Sequence, residues 1–148
     1  MLAVASLALL LHACRTTYDP DRIRDPSGDL ITNRVARGPD GKKHRLSGKA
    51  SWYGKDFQGK MTACGEPYDM YGFTAAHRTL PFHTIVRVIE PTTNKSVVVR
   101  ITDRGPYSPG RVIDLSYAAA RDLGLIRRGV MPVELVVLQW GDGSRVTK

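Results

Sequence analysis

Short apolar runs separated by turn-forming residues dominate the chain from about residue 48 onward. Five of these runs are rich in β-branched residues and four to six residues long, a pattern typical of β-strands. They occupy residues 50–53, 84–89, 96–101, 112–115 and 133–138. The sequence PTTN at 91–94 lies between two of them and predicts a hairpin. The pattern favours a compact barrel or sandwich over a helical bundle.

One helix is predicted over residues 117–123, where three consecutive alanines are strong helix formers. Ser116 precedes this segment as a candidate N-cap, and Gly124 follows it as a C-terminal stop. A second, shorter helical turn is predicted at residues 74–77, where the sequence is TAAH.

The N-terminal region divides into an apolar segment and a polar one. Residues 1–13 (MLAVASLALLLHA) have the length of a signal-peptide core and are too short to span a bilayer. The sequence LHAC at 11–14 resembles the bacterial lipobox and predicts lipidation of Cys14. A plain cleaved signal, or a buried helix with a free thiol at Cys14, is the alternative. Residues 14–47 are rich in turn formers and predict a flexible, extended tether, with a structured extension as the alternative.

Length and charge narrow the classes of protein. The 148 residues suit one domain, predicted at 48–139 and followed by a short tail at 140–148. A net charge of +8 implies a polyanionic neighbour such as nucleic acid, anionic lipid or an acidic cell-wall polymer. The basic residues are scattered without a recognition helix or an aromatic–basic RNA motif, so we expect no nucleic-acid partner.

Candidate chemistry lies where charged side chains interrupt or end the predicted elements. Asp103 ends an apolar strand and opens an RGP turn, where rigid backbone would hold a carboxylate against a cleft. The alternative for Asp103 is a bond to the amides of its own turn or to Arg104. Glu66 and Asp69 lie in the loop TACGEPYD at 62–69, where a solvated glutamate and an Asx turn are the alternatives. His77 alone is more typical of a hydrogen-bonded structural residue than of an acid, a base or a ligand.

Five motifs in order closely resemble the rare lipoprotein A (RlpA) family: GKASWYG at 48–54, TACGEPYD at 62–69, TAAHRTLP at 74–81, DRGP at 103–106 and IDLS at 113–116. The resemblance covers roughly residues 48–139. It implies a mainly β fold, a six-stranded double-psi β-barrel with one or two short helices, related to expansin and barwin-like barrels. It also implies an endolytic lytic transglycosylase that cuts the MurNAc–GlcNAc bond of peptidoglycan strands stripped of stem peptides and leaves 1,6-anhydro-MurNAc ends.

The resemblance places the family's groove carboxylates and histidine on Glu66, Asp69, His77 and Asp103. A lytic transglycosylase needs one carboxyl to protonate the departing glycosidic oxygen and then to take the proton of the muramyl 6-hydroxyl. We predict that Asp103 is this acid and base, with Glu66 as the alternative. Glu66 and Asp69 would otherwise position sugar hydroxyls or stabilise oxocarbenium charge, and His77 would orient one of them.

Three further residues are predicted to contact the glycan. Tyr53 and Tyr68 are candidates to stack on sugar rings, with core packing as the alternative, and Arg104 is the third. No cofactor or metal is expected, because a site built from His77 and the neighbouring acids lacks close His or Cys spacing.

Two positions depart from the family's pattern. Cys64 stands where Asn or another small polar residue is usual, and its thiol is expected to be buried, reactive or paired between molecules. His83 stands where Gly is common. The tail at 140–148 is expected to carry no SPOR repeat, the peptidoglycan-binding module of many members. The resemblance to expansin leaves a non-catalytic glycan binder or an expansin-like wall-remodelling protein as the alternative function.

The resemblance and the lipobox together predict the location of the protein. We expect it in the bacterial cell envelope, lipid-anchored through Cys14. Arg15 follows Cys14, whereas retention at the inner membrane usually requires Asp there, so we expect an outer-membrane anchor facing the periplasm.

Overall fold

The computed structural model describes residues 45–146, together with Gly38 and the pairs Ile23–Arg24 and Leu30–Ile31. The predicted signal segment 1–13, Cys14 and most of the predicted tether lie outside the described residues. The pairs form two short antiparallel strands, β1 (Ile23–Arg24) and β2 (Leu30–Ile31). No helix in the described part of the chain has the length and apolar character to cross a membrane.

Six strands close into a barrel, as predicted. Their order around the barrel is β3-β7-β4-β6-β5-β8, and β8 pairs again with β3. A short 3-10 turn and one α-helix accompany them. The elements are β3 (Arg45–Trp52), the 3-10 turn η1 (Lys55–Phe57), β4 (Thr74–Ala76), β5 (Ile85–Ile89), β6 (Ser96–Asp103), β7 (Arg111–Leu115), α1 (Tyr117–Leu123) and β8 (Met131–Gln139).

Two strand pairs in the barrel are parallel and the others are antiparallel. β3 runs parallel to β7, and β4 runs parallel to β6, while β4 and β7 are antiparallel neighbours. The carboxyl ends of β3 and β7 therefore meet at one end of the barrel, and those of β4 and β6 meet at the other end. The loops at these two ends carry the candidate site residues.

The predicted helical turn at residues 74–77 is wrong, because this segment is the strand β4. Ala75 is fully buried and pairs with Ile101 on one side and Leu115 on the other. Backbone pairing on both sides outweighs the helix propensity of the two alanines. The first barrel strand also begins earlier than the predicted boundary at residue 48, since Arg45 pairs with Val136 of β8.

The other local predictions are confirmed. α1 runs over Tyr117–Leu123, the Ser116 side chain accepts the amide of Ala119, and Gly124 ends the helix in the left-handed conformation at φ 83°. β5 and β6 form the predicted antiparallel hairpin around 91–94.

The core fills the inside of the barrel with side chains from each of the six barrel strands and from α1. Its largest fully buried members are aliphatic, and they include Ile101, Ile113, Leu115, Leu123, Leu125, Met131 and Leu135. Because the interior is packed with apolar side chains, the polar site residues lie at the ends of the barrel and in the long loop between β3 and β4.

Candidate active site

A cleft of about 190 Å³, the carboxylate cleft, lies between the β3–β4 loop and the strands β4 and β6. Its lining consists of Thr62, Glu66, Pro67, Tyr68, Asp69, Gly72, Thr74, Arg100 and Thr102. The structure thus brings together two of the predicted acids, Glu66 and Asp69. Asp103 follows the lining residue Thr102 directly, at the carboxyl end of β6.

Glu66 is held by Arg100 at both carboxylate oxygens. Arg100 Nη1 donates to Oε1 at 3.0 Å and Nη2 donates to Oε2 at 2.7 Å. The hydrogen bonds from Arg100 lower the pKa of Glu66 below its ordinary value. Glu66 is therefore an ionised group, suited to stabilising positive charge and poorly suited to donating a proton.

Asp103 bonds to an amide of its own turn, as one prediction had it, and also keeps one oxygen free, as the catalytic prediction requires. Its Oδ1 accepts the backbone amides of Ala63 at 2.9 Å and Arg104 at 2.8 Å. Its Oδ2 receives no hydrogen bond from any residue that the structure describes. One oxygen thus fixes the carboxyl group against two loops, and the other remains available for proton transfer.

Tyr53 lies within electrostatic reach of Asp103. Burial raises the pKa of the Tyr53 phenol, and the negative charge of Asp103 raises it further. The Tyr53 hydroxyl is buried and has no hydrogen-bond partner among the described residues. The Tyr53 phenol is therefore neutral, and the charge of Asp103 contributes to keeping it so.

Asp69 forms the Asx turn that was its alternative. Its Oδ1 accepts the backbone amide of Tyr71 at 3.0 Å, and the residue is exposed at the cleft. Because Oδ2 takes no hydrogen bond from the described part of the chain, Asp69 still presents one oxygen to a ligand.

His77 is not among the residues that line the carboxylate cleft, and its ring hydrogen-bonds to its own loop. Its Nδ1 accepts the amides of Thr79 at 3.2 Å and Leu80 at 3.1 Å, and the residue is 7% exposed. Burial lowers the pKa of His77 to about 4, and the charge of Arg104 contributes. The imidazole is thus neutral and accepts hydrogen bonds from the loop backbone. The His77 amide donates to the Asp103 backbone carbonyl at 3.1 Å, and within residues 45–146 the His77 ring makes no hydrogen bond to the side chain of Glu66, Asp69 or Asp103.

Arg104 is also bound inside the protein. Its Nη1 donates to the backbone oxygens of His77 at 3.1 Å and Leu80 at 3.0 Å, and its guanidinium lies 3.6 Å from the centre of the Phe82 ring. These contacts join the loops after β4 and β6. The predicted contact of Arg104 with glycan stays a prediction, and the structure assigns it these internal partners.

The two predicted tyrosines pack against each other. Their ring centres are 4.5 Å apart, and the Tyr68 hydroxyl donates to the Tyr53 carbonyl at 2.8 Å. Tyr68 is only 3% exposed, so its ring offers no open face for a sugar. Tyr68 is thus buried, as its alternative predicted, whereas Tyr53 is half-buried and its predicted contact with a sugar stays a prediction.

Arg100 is a site residue that sequence reasoning missed. Arg100 is the only charged residue of β6 before Asp103. A charge inside an otherwise apolar strand was the signal in the sequence that could have identified it as a site residue. His83 joins the same group, with its Nδ1 3.1 Å from Arg100 Nη1. His83 adopts a φ of 67°, a left-handed conformation that explains why glycine suits this position.

Cys64 is buried, which is one of the three states expected for its thiol. The residue is fully inaccessible, and its Sγ lies 3.3 Å from Thr62 Oγ1. Within residues 45–146 no three His, Cys, Asp or Glu side chains cluster closely enough to hold a metal ion. The titratable groups that line the cleft are the carboxyls of Glu66 and Asp69, the guanidinium of Arg100 and the phenol of Tyr68.

Comparison with known proteins places this arrangement in a family. The profile of the lytic transglycolase family matches residues 45–135. Over 105 residues the chain is 50% identical to the endolytic peptidoglycan transglycosylase RlpA of Vibrio cholerae, an alignment that covers 71% of this chain and 39% of that protein. The chain thus matches about two fifths of the length of this relative.

Two solved structures share the barrel. The Streptomyces papain inhibitor superposes with a TM-score of 0.52 at 25% identity, over 64% of this chain and 94% of the inhibitor. The apo expansin of Clavibacter michiganensis gives a TM-score of 0.51 at 25% identity, over 64% of this chain and 50% of the expansin. The expected likeness to expansin is confirmed. The profile match and the five motifs together show that the chain belongs to the RlpA-type lytic transglycolase family of double-psi β-barrels.

Proposed function

We propose that the protein cleaves the glycan backbone of peptidoglycan as a lytic transglycosylase, with Asp103 as its acid and base. The observation that carries the proposal is the contrast between the two acids. Asp103 has one oxygen fixed by two amides and one oxygen free, whereas Arg100 holds Glu66 in its ionised form. The name of the Vibrio cholerae relative supports the same reaction.

The geometry suggests a role for each group. Protonated Asp103 donates its proton to the glycosidic oxygen, and the C1–O bond breaks with its electron pair leaving on that oxygen. The ionised carboxylate of Glu66 stabilises the oxocarbenium charge that develops at C1. Asp103, now a carboxylate, removes the proton of the muramyl 6-hydroxyl while O6 bonds to C1. The product is a 1,6-anhydro ring, and no water is consumed.

Products from purified sacculi test the proposal. We expect the full chain to release fragments with 1,6-anhydro-muramyl ends from amidase-treated sacculi, detected by mass spectrometry. Asp103→Asn should lower this rate at least about 100-fold, because one general acid and base contributes that much or more. Asp122→Asn removes an exposed carboxylate that pairs with Arg121 outside the cleft, and it should leave the rate unchanged.

Each contrary outcome has a defined meaning. Reducing ends would make the protein a hydrolase that activates water in place of the 6-hydroxyl. Full activity in Asp103→Asn, together with loss in Glu66→Gln, would transfer the acid role to Glu66. Binding to sacculi without any fragments would instead favour the non-catalytic, expansin-like alternative, for which the fold likeness to expansin is the supporting observation.

We also propose that a lipid on Cys14 anchors the protein in the cell envelope, at the outer membrane facing the periplasm. The support is the LHAC sequence at 11–14 and the absence of Asp at position 15. Mass spectrometry of the N-terminal peptide from envelope fractions should find an acylated Cys14. Recovery of an unmodified N-terminal cysteine would contradict the anchor.

A further inference from the structure

A second cleft, the aromatic cleft, opens beside the carboxylate cleft and has no role in the reaction described above. It encloses about 530 Å³, and its wall consists of Trp52, Lys55, Asp56, Met70, Tyr71 and Tyr117, with Gly54. Three of the residues that line this concavity, Trp52, Tyr71 and Tyr117, carry aromatic rings.

The barrel topology brings these rings together. Trp52 ends β3, and Tyr117 begins α1 directly after β7, so the parallel pairing of β3 and β7 delivers both rings to the same edge. Tyr117 lies between the other two rings, with its centre 5.9 Å from Trp52 and 6.4 Å from Tyr71. Both contacts are edge-to-face, so neither is a parallel stack, and Tyr71 remains largely exposed.

The cleft offers polar groups at the rim of this aromatic surface. The indole N–H of Trp52 and the hydroxyls of Tyr71 and Tyr117 make no hydrogen bond to another described residue, and Tyr71 is 66% exposed. Lys55 and Asp56 add one charge of each sign. A surface of ring faces bordered by neutral donors and acceptors matches a pyranose, which has an apolar C–H face and a rim of hydroxyls.

The two clefts are continuous along the chain. Asp69 lines the carboxylate cleft, and the next two residues, Met70 and Tyr71, line the aromatic cleft. This segment is fixed at both sides, because the Met70 amide donates to Gln58 Oε1 at 2.7 Å and the Ala118 amide donates to the Met70 carbonyl at 3.0 Å. Consecutive residues of the β3–β4 loop therefore line both clefts.

We propose that the aromatic cleft is a saccharide subsite, which holds a pyranose of the same glycan strand outside the linkage that is cut. The inference rests on the proposed function for the identity of the polymer. A neutral sugar fits this cleft better than a charged stem peptide, since Lys55 and Asp56 cancel and the remaining wall is aromatic or apolar.

Binding measured without cleavage tests the subsite. Denuded glycan strands fractionated by length are titrated by calorimetry into the full chain carrying Asp103→Asn. We expect a further Tyr71→Ala substitution to weaken the binding of long strands about 5-fold, and that of short fragments much less. Tyr107→Ala removes an equally exposed tyrosine, 77% accessible, in the loop after β6, and it should change neither affinity.

Tryptophan emission provides a second readout. Long strands should change the emission of the chain, and Trp52→Phe should abolish this change while Trp140→Phe preserves it. Equal affinity of Tyr71→Ala for long and short strands, or an emission change that survives in Trp52→Phe, would overturn the subsite. Failure of the proposed function gives a different result, because a chain that never cleaves would still lose affinity for long strands with Tyr71→Ala.

Discussion

Both terminal nitrogens of Arg100 donate hydrogen bonds to the Glu66 carboxylate. This pairing gives Glu66 a different chemical environment from that of Asp103. Glu66 stays charged because a cation lies against it, while Asp103 is held by two backbone amides at one oxygen only. Two carboxyl groups in different surroundings are the usual basis for dividing acid and charge-stabilising roles in glycosidic cleavage.

Removing the cation should shift the acidic side of the pH profile. In Arg100→Gln the pKa of Glu66 rises toward its ordinary value, so Glu66 takes up a proton at a higher pH than in the natural chain. We expect kcat/KM on denuded strands to fall off at a higher pH on the acidic side. Carbon NMR of the Glu66 carboxyl should show the same displacement. Arg121→Gln, which breaks an exposed ion pair with Asp122, is the control and should leave the profile in place.

The buried histidine should make stability depend on pH. His77 has a folded-state pKa of about 4 against 6.5 in an unfolded chain, so the unfolded chain binds more protons between these values. The contribution of His77 to the free energy of unfolding should therefore fall as pH drops from 6.5 to 4, by on the order of 2–3 kcal/mol, and level off below. Urea titrations across this range measure the effect.

His77→Asn should flatten that dependence, since its amide oxygen takes the place of Nδ1 as acceptor for Thr79 and Leu80. His83→Asn is the matched control, because asparagine tolerates the left-handed backbone and His83 is half-buried. A slope that persists in His77→Asn would show that another group titrates.

The Cys64 thiol should be inert in the folded protein. Its complete burial blocks access of a thiol reagent, so reaction requires opening of the loop around it. In a full chain carrying Cys14→Ser, we expect modification by a disulfide reagent to be at least about 1000-fold slower under native conditions than in denaturant. Comparable rates in the two conditions would mean that Cys64 is accessible.

Gly141 should tolerate no side chain. A Cβ added there would lie 2.0 Å from the Phe82 carbonyl oxygen and 2.4 Å from the Thr84 nitrogen, so backbone must move. We expect Gly141→Ala to destabilise the protein by about 1–3 kcal/mol in urea unfolding. The Val146 amide, which donates to the Cys64 carbonyl at 2.8 Å, should also lose protection from hydrogen exchange. Ser144→Ala, an exposed change in the same segment, should do neither.

The sequence pattern correctly predicted the parts of the fold that depend on contacts between residues close together in the chain. Ser116 and Gly124 set the ends of α1 through bonds to residues three or four away, and short-range pattern detects such bonds. β4 was missed because Ala75 owes its conformation to partners far along the chain, Ile101 and Leu115.

The same distinction applies to the candidate site. The family resemblance supplied Glu66 and Asp103, but the pairing of Glu66 with Arg100 joins residues 34 positions apart. The fixing of Asp103 at its Oδ1 likewise depends on an amide from Ala63, 40 positions away. Whether Tyr68 faced a sugar or the core depended on the packing of Tyr53, which no spacing in the sequence expresses.

The position of β8 in the barrel has a consequence for folding. β8 is hydrogen-bonded to both β3 and β5, and the first of these pairings joins Arg45 to Val136. The barrel therefore closes only when its last strand is present, and until then β3 and β5 each keep an unpaired edge. Such non-local closure makes folding slow, and it leaves a newly made chain open to pairing with its neighbours until residue 139 is available.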